Sequence, residues 1–103
     1  MANSESELSR DLRRLSDVLT KLFQDEIERQ DLIDTGLMLK TTRAFIVKEA
    51  NGFSFKVEST DYFPYVDDKF NVTQNVLRSN GYQKFLEDIA IAYEKYITNE
   101  IIQ

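Results

Sequence analysis

The first third of the chain carries leucines at helical spacing, separated by mostly polar and charged side chains. Successive leucines lie four or three residues apart: Leu8, Leu12, Leu15, Leu19 and Leu22. These intervals place side chains on one side of an α-helix. The pattern predicts an amphipathic helix that begins near Ser4 or Ser6 and ends within 31–36, after a disordered tail over residues 1–6.

The leucine face has two interpretations. It is either ordinary core or, in part, a surface that packs on a neighbouring subunit. A helix of about 24 residues is roughly 35 Å long at 1.5 Å per residue, and the rest of the chain looks too small to cover it. We therefore keep the first four leucines as candidate interface residues: Leu8, Leu12, Leu15 and Leu19.

Alternating apolar and polar residues follow the helix and predict an antiparallel β-hairpin. The first strand is expected from about Leu37 to Glu49 and the second from about Phe53 to Thr60. The predicted apolar face of the first strand contains Leu37, Leu39, Thr41, Phe45 and Val47. The predicted apolar face of the second contains Phe53, Phe55 and Val57.

The pair Asn51-Gly52 marks the turn between the strands. A two-residue loop at this pair would place Val47 opposite Lys56, whereas a three-residue loop places Val47 opposite Phe55. Because paired residues share a face of the sheet, the second register gives one continuous apolar face. We therefore predict a three-residue loop with a left-handed glycine in a bulge.

Segment 61–71 combines aromatic residues, acids and Pro64, and it is expected to be irregular because proline is excluded from central strands. It has too many aromatic residues for a solvated loop, so we expect some to cover the core and a tyrosine to touch a partner. Arg43 lies on the predicted apolar face, either extending into solvent at a sheet edge or binding a partner. Candidate interface residues here are Arg43, Tyr62, Phe63, Tyr65, Asp67 and Asp68.

A short helix over 72–79 and a long C-terminal helix from about Tyr82 to Ile101 are expected to complete the chain. The sequence therefore predicts one α+β domain over 1–103. It comprises a long N-terminal helix, an antiparallel β-hairpin or small sheet, a short helix and a long C-terminal helix, packed on one face. A chain of 103 residues has the length of a single domain.

The residue composition limits the kinds of catalytic and metal-binding site that the chain can form. The chain has no Cys and no His, which removes the usual zinc ligands, the thiol nucleophile and the commonest general base. The adjacent acids Asp67 and Asp68 lack a third ligand at a recognisable spacing, so we expect no metal, no cofactor and no enzymatic activity. The net charge of −5 opposes attraction to bare nucleic acid or an anionic membrane, and no apolar run approaches the ~20 residues of a membrane span.

Three short motifs occur in order: Asp34-Thr35-Gly36-Leu37-Met38-Leu39, Tyr62 through Tyr65-Val66-Asp67, and Phe85-Leu86. In this order and across residues 8–101, the chain resembles the small tail-completion or neck proteins of long-tailed bacteriophages, which include minor tail and head–tail joining proteins. It departs from them at Asp68-Lys69, where the family often has Gly-Thr, and at Lys84, where proline is common.

The resemblance implies a structural virion protein without turnover. Several copies would form a homo-oligomeric ring in the neck or upper tail, in contact with other neck, tail and portal-associated proteins. This ring would join the head connector to the tail after assembly in the host cytoplasm. DNA would pass through an acidic lumen without specific binding. The alternative is a small acidic regulatory or inhibitor protein, or an adaptor, that acts by protein–protein binding.

Overall fold

The computed structural model describes residues 4–30, 38, 40–50 and 52–102, with side chains described between residues 7 and 97 of those ranges. Its main elements, in chain order, are helix α1 (Ser4–Gln30), strands β1 (Arg43–Glu49) and β2 (Gly52–Glu58), and helices α2 (Phe63–Phe70), α3 (Val72–Leu77) and α4 (Asn80–Ile102). The two strands form an antiparallel sheet. This arrangement confirms the predicted α+β fold.

Helices α1 and α4 form an antiparallel pair. A Cβ atom at Gly81 would lie 2.6 Å from Cδ2 of Leu22, so the missing side chain lets the helices approach at this end. At the other end, Lys95 Nζ lies 3.8 Å from Asp11 Oδ2. The long pair gives the molecule extents of 52 × 22 × 20 Å.

The core lies between this helix pair, the inner face of the sheet and α3. Its buried residues are Leu15, Leu19, Phe23, Ile27, Met38, Ala44, Ile46, Val72, Val76, Phe85, Ile89 and Ala92. Aromatic rings join β2 to α4. Phe55 lies edge-on to Phe85 with ring centroids 5.4 Å apart, and Phe53 lies edge-on to Tyr93 at 5.1 Å. Such edge-to-face pairs are favoured arrangements of aromatic rings.

The predicted start of the first helix is confirmed, whereas the predicted tail and the predicted start of the first strand change. Helix α1 begins at Ser4, so residues 4–6 are helical and do not belong to a disordered tail, while residues 1–3 and the predicted helix end at 31–36 lie outside the described part. The first strand begins at Arg43 and not near Leu37, because Met38, Lys40 and Thr41 are helical and Thr42 N donates to Met38 O at 2.9 Å. Leu37 and Leu39 are outside the described residues.

The predicted apolar face of the first strand was wrong. Ala44 and Ile46 are buried against the helices, whereas Phe45 and Val47 are 40% and 44% exposed. Four successive apolar residues, 44–47, leave the alternation ambiguous, and the small side chain of Ala44 suits the close approach of α1. The predicted apolar face of β2 is confirmed: Phe53 and Val57 pack against the core, and Phe55, on the same face, contacts Phe85.

The hairpin register was also wrong. Glu49 pairs with Gly52 and Val47 pairs with Ser54, so only two residues, 50 and 51, connect the strands. Gly52 has a φ of +152°, which residues with a Cβ rarely adopt, but it is a paired residue of β2 and not part of a bulge. Asn51 lies outside the described residues.

The predicted irregular segment 61–71 is mostly helical. Pro64 lies in the first turn of α2, where a missing N–H costs no hydrogen bond. Asn71 has a left-handed backbone, with φ 56° and ψ 42°, and separates α2 from α3. The predicted short helix and long C-terminal helix are confirmed as α3 and α4.

Candidate interaction surface

One edge of the hairpin is closed by side chains of α1. Thr20 Oγ1 accepts a hydrogen bond from Ala44 N at 2.8 Å and donates one to Ala44 O at 3.3 Å. Ser16 Oγ, one turn earlier, accepts from Ile46 N at 3.1 Å. Two hydroxyls therefore take the place that a third strand would occupy beside β1, which is one way proteins protect a sheet edge.

The other edge of the hairpin has no partner strand among the residues that the structure describes. Because Ala44 and Ile46 direct their N–H groups to α1, their partners Val57 and Phe55 form the pairs of the ladder without mutual hydrogen bonds. In an antiparallel pair, such residues direct their own N–H and C=O groups away from the neighbouring strand. Within the described part of the chain, the sheet has no third strand to receive these groups.

The outer face of the hairpin exposes two apolar side chains within a charged border. Phe45 is paired with Lys56, Val47 with Ser54, and Arg43 with Glu58. All these residues point away from the helices because their neighbours in sequence, Ala44 and Ile46, point inwards. We call Phe45 and Val47 the outer apolar pair.

A groove of about 370 Å³ runs between α1 and β1 and borders Phe45 of the outer apolar pair. Its lining includes Leu12 and Arg13 of α1 and Arg43 and Phe45 of β1. The acid Asp17 also lines the groove. The structure thus brings together two of the predicted interface residues, Leu12 and Arg43. Arg43 also donates from Nη1 to Thr42 O at 2.8 Å.

Glu26 is the centre of a hydrogen-bonded group that links α1 to the two short helices, α2 and α3. Its Oε2 accepts from Asn75 Nδ2 at 2.8 Å and from Gln30 Nε2 at 2.7 Å, while Arg29 binds both carboxylate oxygens. Gln30 Nε2 also donates to Phe70 O at 2.9 Å. The hydrogen bond from Arg29, assisted by those from Asn75 and Gln30, lowers the pKa of Glu26 from 4.5 to about 2 despite the opposing effect of burial. This group is therefore a structural connection between α1 and the two short helices.

The remaining predicted interface residues fall into two groups. Leu8, Leu15 and Leu19 are buried within the protein's own fold, and Tyr62 and Phe63 pack against its core. These five side chains leave little surface for a partner.

The last three candidate interface residues all lie on α2, and they differ in their contacts and exposure. Asp67 accepts from Thr73 N at 2.6 Å and from Thr73 Oγ1 at 2.9 Å, so its carboxylate is occupied at the start of α3. Tyr65 is 79% exposed and Asp68 is exposed. Tyr65 and Asp68 are thus available to a partner.

Sequence reasoning missed the features that define this surface. It placed the outer apolar pair on the inner face, and it overlooked Ser16 and Thr20 as hydrogen-bonding residues. Their spacing of four on the polar margin of the leucine face was the available signal.

The described residues hold no group of three or more His, Cys, Asp or Glu side chains placed to bind a metal ion. None of the described helices has the length and apolarity needed to cross a bilayer. Comparisons with protein-family models, curated proteins and solved structures give no match.

Proposed function

We propose that this chain is a structural virion protein of a tailed bacteriophage. Its copies form a ring in the neck or upper tail that joins the head connector to the tail. The order of motifs along the sequence supports the phage assignment, and the exposed outer apolar pair supports a role in assembly. Fully burying a Phe or Val side chain gains about 1.5–3 kcal/mol, so covering the exposed parts of both gains roughly 1–3 kcal/mol.

A ring requires heterologous contacts, in which one patch meets a different patch on the next copy. We propose that the outer face of the hairpin is the first patch and that the exposed side of α2 is the second. The Tyr65 ring has the shape and apolar area to cover Phe45 and Val47, while Asp68 has the charge to pair with Arg43. Tyrosine and arginine are enriched at the centres of protein interfaces.

The acidic charge fits the same function. A chain with a net charge of −5 repels DNA over the distances that salt leaves unscreened. A ring of such chains lets DNA move through the lumen without adhering to the wall.

The test is native mass spectrometry of particles from the virus that encodes the chain, combined with a double variant, Phe45→Ser with Val47→Ser. We expect a fixed copy number in wild-type particles and, for the double variant, a folded protein and heads that remain unjoined to tails. Ile91→Ser is the matched control because Ile91 is 56% exposed and belongs to α4 and not to the hairpin. It should leave joining intact.

Absence of the chain from every particle would overturn the proposal. That result would favour the alternative, a small regulatory, inhibitor or adaptor protein. Normal joining by the double variant would refute the role of the outer apolar pair.

A further inference from the structure

The exposed side of α2 carries a base beside the acid that faces solvent. Lys69 follows Asp68, both side chains are exposed, and both lie about one turn beyond Tyr65. Residues three or four positions apart on a helix have Cβ atoms about 5–6 Å apart. These three side chains therefore form a compact surface with an aromatic ring, an acid and a base. We call Tyr65, Asp68 and Lys69 the α2 triangle.

The outer face of the hairpin carries a complementary set. Glu58 lies directly opposite Arg43 in the ladder, and Phe45 follows Arg43 by two residues on the same face. Residues two apart in a strand are separated by about 7 Å, and the Cβ atoms of cross-strand partners by about 5 Å. We call Phe45, Arg43 and Glu58 the hairpin triangle. Its ring, base and acid have nearly the same spacing as the ring, acid and base of the α2 triangle.

The four charged groups of the two triangles are available to a partner. All four side chains are exposed, and within the described part of the chain none of them forms an ion pair. Although Arg43 lies opposite Glu58, its Nη1 donates to Thr42 O instead. Lys69 Nζ lies 5.6 Å from the centre of the Phe70 ring. Ion pairs with a second copy would therefore break none within the first.

We propose that α2 of one copy lies antiparallel to β1 of the next copy. Lys69 then pairs with Glu58. Asp68 pairs with Arg43, and the rings of the two triangles pack on each other. The inference rests on the proposed function, in which these two surfaces meet in a ring. It adds the direction of α2 and a second ion pair, and complementary charges across an interface fix its register.

The handedness of the two elements selects this direction. When a strand of L-residues runs upwards, a residue that faces the viewer directs its N–H group to the right. In β1 these groups point to β2, so Glu58 stands to the right of Arg43, below the ring. A right-handed helix seen from its exposed side, with its N-terminus lowest, places Asp68 to the left and Lys69 to the right, above the ring. When α2 turns over and reverses to face the hairpin, the acid falls on Arg43 and the base on Glu58.

The parallel direction gives no such match. With the two rings in contact, it places the acid and the base of α2 beside Ser54 and Val47, which carry no charge. The antiparallel direction is therefore the one that pairs both charges. Each copy then offers α2 to one neighbour and its hairpin to another, as a heterologous contact requires.

The first test is carbodiimide cross-linking of the purified full chain, which joins a lysine to a carboxylate that is in contact with it. A mixture of unlabelled and isotopically labelled protein separates links between copies from links within one copy. We expect a mixed-isotope peptide pair that joins Lys69 to Glu58. Absence of this pair at every protein concentration would overturn the proposal, and so would mixed-isotope links from Lys69 only to other acids, such as Asp17.

The second test exchanges the charges and measures association by sedimentation equilibrium. Lys69→Glu alone and Glu58→Lys alone each set like charges opposite each other, and each should weaken association about threefold to tenfold. The double variant, which exchanges the two charges, should associate as wild type does. Glu58→Lys combined with Lys40→Glu is the control. It has the net charge of the double variant but changes an exposed lysine outside both triangles, so it should stay weak. Thermal melting checks that each variant is folded.

The outcomes separate this inference from the proposed function. A fixed copy number in particles without the link between Lys69 and Glu58 would overturn the register and leave the ring. The link in purified protein, with the chain absent from every particle, would overturn the phage assignment and leave the contact. Single variants that associate as wild type does, or a double variant that stays weak, would refute the ion pair.

Discussion

Replacing Thr20 with valine tests whether helix hydroxyls hold the closed edge of the sheet. Valine has nearly the same shape as threonine and a similar helix propensity, so the substitution creates no cavity and leaves α1 intact. It removes both hydrogen bonds to Ala44 and leaves the Ala44 N–H without an acceptor in a buried site. A buried donor left unsatisfied costs about 1–3 kcal/mol.

We therefore expect Thr20→Val to lower the free energy of unfolding by about 2 kcal/mol. For a domain of this size, that is a fall in the melting temperature of roughly 8–16 °C. Urea unfolding monitored by circular dichroism gives the free energy, and an unchanged m-value would show that the denatured state has not changed. Hydrogen exchange should also accelerate at the Ala44 amide before it does so in the centre of α4.

Two variants serve as controls for this prediction. Thr20→Ser keeps the hydroxyl and loses one methyl group, so it should cost only about 1 kcal/mol. Ser16→Ala removes the single bond to Ile46 N in a half-buried site and should cost less than about 1 kcal/mol. A Thr20→Val protein as stable as wild type, or more stable than Thr20→Ser, would refute the role assigned to the hydroxyl.

Three further predictions concern Glu26, Asp67 and Phe85. The lowered pKa of Glu26 stabilises the folded state above pH 4.5, and this stabilisation is lost as pH falls from 4.5 towards 2. In Glu26→Gln, the acid-induced fall in the free energy of unfolding should be smaller by about 2 kcal/mol, whereas Glu28→Gln should show the same fall as wild type. Asp67→Ala should cost about 1 kcal/mol by removing both hydrogen bonds at the start of α3, while the exposed neighbour Asp68 tolerates the same change. Phe85→Ala should cost about 3–5 kcal/mol because Phe85 is fully buried; urea unfolding measures all three.

Each of these predictions has a result that contradicts it. Parallel curves of stability against pH for wild type and Glu26→Gln would show that Glu26 does not carry the acid-sensitive contribution. Equal losses of stability from Asp67→Ala and Asp68→Ala would show that the hydrogen bonds from Thr73 to Asp67 do not stabilise the start of α3. A cost below about 1 kcal/mol for Phe85→Ala would mean that Phe85 is not the centre of the core.

The elements were predictable from sequence, but the face and register of the hairpin were not. The helical spacing of the leucines identifies α1, and the broad apolar stripe around Phe85 identifies α4, because each pattern extends over many turns. Residues 44–47 are all apolar, so the alternation of the strand has no polar residue to mark the outer face. The packing of α1 beside β1 decides which side is buried, and that contact joins residues 24 and 30 positions apart.

The candidate surface was missed for the same reason. Hydrophobicity alone would bury Phe45 and expose Ala44. The observed arrangement is explained by the close approach of α1, which suits the small Ala44 side chain, and by the hydrogen bonds of Thr20 to the Ala44 backbone. Segment 61–71 was misjudged because Pro64 excludes a central strand but is compatible with the first turn of a helix. Tyr65 and Asp68 could be named from sequence as available to a partner, whereas Asp67 could not be separated from them without its contact to Thr73.

The antiparallel pairing of α1 and α4 has a consequence for synthesis of the chain. The leucine face of α1 leaves the ribosome before α4, the helix that packs against it, has been translated. At about 5–20 residues per second, α1 waits roughly 4–15 seconds for α4. During that interval an apolar face is exposed on a nascent polypeptide, and it is the natural target for a chaperone.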